Sequence, residues 1–151
     1  MKIIDIEITI NDVMEAVAQS TAYAGVKCGD RAEFYDKVAT VEEDENFLLK
    51  FFSETCGEII DSLKEFLKTS DLNNEKLVLT LELSGAYDEA LTPSVTEDIK
   101  KSIVAGISGK WFQYTYPVRA LEWIENSNRL MLRARSKLCQ RKRPVRGEAS
   151  N

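Results

Sequence analysis

The chain has 151 residues, 44% hydrophobic and 30% charged, with a net charge of −5, three cysteines and no histidine. That length suits one domain with a core of its own, and no run approaches the roughly 20 apolar residues needed to cross a bilayer. Without histidine the commonest general base and the commonest metal ligand are missing. Cys28, Cys56 and Cys139, odd in number and far apart, read as reduced thiols in a cytosolic setting.

Residues Ile3–Ile10 alternate, with Ile4, Ile6, Ile8 and Ile10 on one side and Asp5, Glu7 and Thr9 on the other, as in a half-buried strand. Acidic residues inside this apolar run argue against a signal peptide. Asp12 and Glu15 form a capping-box pattern opening a helix to about Lys27, which Gly29 ends. Asp30 and Glu33 repeat the pattern for a short helix over Arg31–Ala39. The longest helical signal follows, from Thr40 to Lys68, with Thr40 and Glu43 as its capping box. Leu48, Phe52, Cys56, Ile59, Leu63 and Phe66 share one face there, widened by Phe47, Phe51, Ile60 and Leu67. So wide a stripe predicts a central helix around which the rest packs, and Gly57 within it predicts close approach of a neighbour.

Ser70–Glu75 reads as a polar turn, and Lys76–Leu83 as a second alternating strand with Leu77, Leu79, Leu81 and Leu83 on one face. After a loop over 84–92, Thr92-Pro93 starts a helix with Ile99, Ile103 and Ile107 in line, and Gly106 and Gly109 weaken its far end. Trp111–Pro117 is an aromatic hinge. A last helix runs from about Val118 to Arg141, with Leu121, Ile124, Asn128, Met131 and Leu138 on one face. The fold expected is α+β and mainly α: a helical bundle around one long central helix, with two short β-strands and a long C-terminal helix. Residues 1–143 form a single domain and 144–151 a basic, flexible tail.

Charge is unevenly placed. Residues 1–128 hold 12 Lys/Arg against 24 Asp/Glu, and residues 129–151 hold 8 against 1. Cations at the end of a helix complement its dipole, but eight of them exceed that need. They point to an anionic target, and an acidic protein surface fits better than nucleic acid, which the acidic body would repel. Arg133, Lys137, Arg141, Lys142, Arg143 and Arg146 are the candidate partner-binding residues. The aromatic hinge with Trp123 could stack on bases, though aromatics joining two helices more often fill a core. Cys56, inside the apolar stripe, reads as a small buried hydrophobe. Glu42–Glu45 suit a helix N-terminus, and Glu58, Asp61 and Glu65 a solvated face. No catalytic, cofactor-binding or metal-binding residue is assigned.

The succession of short helices, a long amphipathic helix, an extended excursion and further helices ending in a basic tail resembles the head–tail connector (adaptor) ring proteins of tailed bacteriophages. Residues 44–67, DENFLLKFFSETCGEIIDSLKEFL, look like the second major helix of that family. Tyr116-Pro117, Ala120, Trp123 and Arg141-Lys142-Arg143-Pro144 look like small virion proteins of phages of Bacteroides-type hosts, including crAss-like phages. The resemblance implies a virion structural protein without catalytic activity or cofactor, in a dodecameric ring stacked on the portal at the head–tail junction. Its C-terminal segment would face the portal, it would meet other tail and ring proteins, and it would reside in the host cytoplasm only during assembly. DNA would be near but not specifically bound, and no membrane is involved. Two other functions fit the same residues: a small cytosolic protein-interaction bundle acting as a dimer, and a nucleic-acid-associated protein using its basic tail.

Overall fold

The structure is a computed structural model, and it describes residues 1–28 and 44–144. Alternation decides the sheet. Ile4, Ile6 and Ile8 turn inward from strand β1 (Lys2–Thr9), whose odd-numbered neighbours are exposed. Leu77, Leu79, Leu81 and Leu83 do the same from β3 (Lys76–Leu83). The two strands pair antiparallel from Lys2 opposite Leu83 to Thr9 opposite Lys76, so all seven side chains cover one face of the sheet. Each contributes about 1.5–3 kcal/mol on burial. Thr80 donates to Asp5 at 2.8 Å on the opposite, wet face.

A third strand joins them, where two were expected. Strand β2 (Leu67–Leu72) pairs antiparallel with β3 on the side away from β1, giving the order β1-β3-β2. It occupies the end of the expected central helix and the start of the expected turn. The helix there, α2 (Glu45–Ser62), stops at Leu63 although Lys64, Glu65 and Phe66 are all compatible with helix. Strand pairing overrides local propensity, beginning with the Glu82 N–H bonded to the Phe66 carbonyl at 2.8 Å. The turn itself is tighter than expected: the Asn73 carboxamide oxygen accepts from the N–H groups of Glu75 and Lys76 at 2.8 and 2.9 Å. Five of the six residues of β2 are exposed, so no alternation marked it in the sequence.

Helix α1 (Ile10–Cys28) leaves β1 without a loop. The Ile10 N–H still bonds the Glu75 carbonyl at 2.9 Å, so Asp12 lies in the first turn and not at the cap. Thr40 and Glu43, the short helix over Arg31–Ala39, and Gly29 lie outside the described residues. The helix at the centre is α3 (Thr92–Thr115), not the one over Thr40–Lys68. Every residue of α3 from Ser102 to Gly109 is buried, as befits a helix covered on all sides. A 3-10 turn, Glu89–Leu91, leads into it, and Pro93 sits in its first turn as expected.

Tyr116 alone separates α3 from α4 (Pro117–Leu138), so the two form a long hairpin. Close approach along it falls on glycines assigned a weakening role. A Cβ on Gly106 would lie 2.9 Å from Thr55 Cγ2 and 3.2 Å from Ser127 Oγ, and one on Gly109 would lie 2.8 Å from Ile124 Cγ1. Gly57, expected to allow such contact, has nothing within 4 Å. Beside Gly106, Ser102 Oγ donates to the Ser127 carbonyl at 2.8 Å and Ser127 Oγ to the Ser102 carbonyl at 2.7 Å. At the closed end Phe112, fully buried, meets Trp123 and Tyr116 with ring centroids 5.5 and 6.4 Å apart. Of the hinge aromatics Phe112 is core and Trp111 and Tyr116 are half-buried against it, while Tyr114 is exposed and stacks on Phe51. The fold is α+β and mainly α. Among the described residues no helix is long and apolar enough to cross a membrane.

Candidate functional site

The expected partner-binding cations separate into two groups. Arg133 and Lys137 stand one turn apart on α4 and face α3, where Asp98 is only 3% exposed. Lys137 Nζ donates to Asp98 Oδ2 and to Ser94 Oγ, each at 2.6 Å. Arg133 donates to the other carboxylate oxygen at 3.2 Å. A carboxylate so buried requires compensating charge and hydrogen bonds, and these two cations provide both. Arg135, between them, pairs with Glu65 beyond the end of α2. Arg129 donates to the Asn126 side chain. Arg135 and Lys137 also occupy the last turn of α4, where cations are favoured by the helix dipole. This basic stretch therefore holds helices together.

The second group begins after α4 ends. The chain turns at Cys139, and Arg141 forms a bridge to Tyr87. The Lys142 N–H then bonds the Ala86 carbonyl at 2.7 Å. Tyr87 is itself well anchored: it is fully buried, its hydroxyl shares a 3.1 Å hydrogen bond with Thr92, and its carbonyl accepts from Lys2 Nζ at 2.8 Å. Arg141, Lys142, Arg143 and Pro144 are all exposed on this fixed root. Among the described residues no ion pair involves the three cations. Arg146 lies outside the described residues.

Two features escaped the sequence reading. Asp98 adjoins Ile99 in a helix read by its isoleucines, and only the basic face of α4 opposite it could have drawn attention to it. Tyr87 stood in what looked like a loop, with no periodicity to mark it. A third site needs little change: Glu58, read as part of a solvated face, pairs with Lys110 at 2.9 Å, and Lys110 also donates to Thr55 at 2.8 Å.

Cys56 is buried in the core, and burial pushes its thiol up to about 12, a rise that the nearby Lys110 charge opposes. Such a thiol is a packing group at neutral pH. Cys139 is exposed. A cleft of about 660 Å³ lies between α1 and α4, lined by Tyr23, Arg119, Glu122, Trp123 and Arg129 among others. Its polar groups carry both signs of charge. No protein-family model matches the chain, and neither a curated protein nor a solved structure is found to be similar to it.

Proposed function

We propose that the chain is a structural subunit of a virion, one member of a ring connecting head to tail, docked to the portal through its C-terminal cations. The observation that carries this reading is the exposed Arg141–Arg143 run on a root fixed by the Tyr87 bridge. A root held to the body delivers charge in a defined direction, so less ordering entropy is lost on docking than for a free tail. Arginine and lysine there suit an acidic protein surface, and arginine can pair with carboxylates through two parallel bonds. The helical body and the resemblance of residues 44–67, Trp123 and Arg141–Pro144 to connector-type virion proteins support the ring as the setting. In that setting the chain acts by packing and docking, without catalysis.

Gold-labelled antibody against the chain, applied to intact particles that carry it, tests the reading. Label at the head–tail vertex is the expected result. Label on the capsid shell or the tail fibres, or none on intact and opened particles, overturns it. The triple variant Arg141→Glu, Lys142→Glu, Arg143→Glu should fold normally yet fail to enter particles, and normal incorporation of that variant removes the role assigned to the cations.

A further inference from the structure

The outward side of α4 is not that of a solvated helix. Ala120, Leu130, Met131, Ala134 and Leu138 are buried. On the opposite side Val118, Leu121 and Leu132 are 84%, 64% and 66% exposed, with exposed Glu125 and Asn128 between them. The series 118, 121, 125, 128, 132 advances by alternating steps of three and four. That is the spacing of a seam where two helices pack side by side. Val118 and the two leucines at its ends are apolar, and its middle is polar.

Charge along α4 indicates what covers this seam. Its first half carries Glu122, Glu125 and Arg119, and its second half carries Arg129, Arg133, Arg135 and Lys137. Arg133, Arg135 and Lys137 are paired with Asp98 and Glu65 of their own chain, so at the seam a second copy laid parallel would set Glu125 against Glu125 and Arg129 against Arg129. Laid antiparallel, with a two-fold axis between Asn126 and Ser127, it brings Leu121 against Leu132 of the other copy, twice. Glu125 then meets Asn128 and Arg129 of the other copy. Val118 falls opposite Arg135, which is paired with Glu65 of its own chain; nearer the axis the residues that meet are apolar with apolar and acid with base or amide, and antiparallel helix dipoles add to the preference.

We propose that two copies of this chain pair antiparallel through the outward face of α4, centred on Glu125 and Asn128 with Leu121 and Leu132 on either side. A two-fold contact closes on itself and builds no polar ring. The pair is therefore a form of the free protein, and it stands or falls independently of the head–tail reading, whose test is the position of label on particles.

Cysteine cross-linking in the full chain decides it. Cys28 and Cys139 are changed to Ser, and Leu121→Cys or Leu132→Cys is introduced in separate preparations. Mixing the two under mild oxidation should give the mixed dimer in large excess over either preparation alone. In the antiparallel arrangement two copies of residue 121 lie roughly 16 Å apart along the axis at 1.5 Å per residue, beyond the reach of a disulfide. Equal cross-linking of each single variant with itself would mean a parallel pair, and no cross-linking would mean no pair; either overturns the proposal. A charge swap gives a second readout in sedimentation without added cysteines. Glu125→Arg should lower the dimer association constant at least tenfold, and adding Arg129→Glu should restore most of it. If the double variant is as weak as the single one, Glu125 and Arg129 do not meet across the axis and the proposed register is wrong.

Discussion

Gly57, Gly106 and Gly109 are all helical, yet the structure gives them opposite responses to the same substitution. Alanine at any of them relieves a similar backbone entropy cost, about 0.5–1 kcal/mol. At Gly57 nothing lies within 4 Å of the new methyl, so Gly57→Ala should stabilise by that amount. At Gly109 the methyl would meet Ile124 Cγ1 at 2.8 Å and the Ile124 backbone nitrogen at 3.3 Å, and backbone cannot be moved aside by a rotamer change. At Gly106 it would meet Thr55 and Ser127, both held by hydrogen bonds, to Lys110 and Ser102 respectively. Overpacking of this kind costs about 1–3 kcal/mol. Because the propensity gain is common to the three, it cancels between variants and leaves the overpacking cost. Gly106→Ala and Gly109→Ala should thus each be about 1–3 kcal/mol less stable than Gly57→Ala. At roughly 2–4 °C per kcal/mol for a domain of this size, the melting temperatures should differ by several degrees. Urea unfolding with matched m-values is the stricter assay. If Gly109→Ala lies within about 0.5 kcal/mol of Gly57→Ala, α3 and α4 do not approach as closely as described.

Asp98→Ala should destabilise by about 2–3 kcal/mol, because it leaves Lys137 half-buried without its carboxylate. The loss falls short of a fully buried pair because the Arg133 side chain is 59% exposed; chemical denaturation of wild type and variant measures it. Ile6→Asp buries a charge opposite Leu79 in the sheet and should cost several kcal/mol, which circular dichroism on heating would register as a large drop in melting temperature or as failure to fold. Cys56 should resist thiol reagents at pH 8 in the folded protein while exposed Cys139 reacts, with Cys56 titrating only on unfolding. The same raised thiol has a consequence for stability. Below pH 9 both folded and unfolded forms hold the proton and its contribution is constant. Between pH 9 and about 12 only the unfolded form releases it, so stability falls with rising pH by up to about 1.4 kcal/mol per unit. Cys56→Val should remove that part of the alkaline slope.

The sheet was legible where burial and strand period coincide, and illegible where they part. Ile4 to Ile8 and Leu77 to Leu83 alternate because one face is covered, whereas Leu67–Leu72 is a strand held by backbone bonds with almost nothing buried. The position of the central helix was misread for a related reason. Residues 45–62 carry large apolar side chains on a broad stripe, which catches the eye. Residues 102–109 are more deeply covered, but Ser102, Ala105, Gly106, Ser108 and Gly109 bury by being small, and small residues look neutral in a hydrophobic pattern. Leu121 illustrates the converse: it was placed on the buried side of α4 with Met131 and Leu138, yet it is 64% exposed. The inward direction is fixed by Ala120 and Ala134, whose small size lets α4 lie against α3, and that turns Leu121 outward.

The basic end of the chain shows how a charge count can hold two unrelated causes. Arg133, Arg135 and Lys137 follow one another along the final turns of a helix, where the dipole and two acids, Asp98 and Glu65, account for them. Among the described residues no acid pairs with Arg141, Lys142 or Arg143. They lie beyond the helix end at Cys139, so the dipole of α4 gives them little. Their backbone runs instead beside Ala86 and Tyr87, and their side chains are exposed. Exposed there, they are left to solvent and to whatever approaches this end of the molecule. In the docking proposed above, carboxylates of the partner's surface would supply their counter-charge.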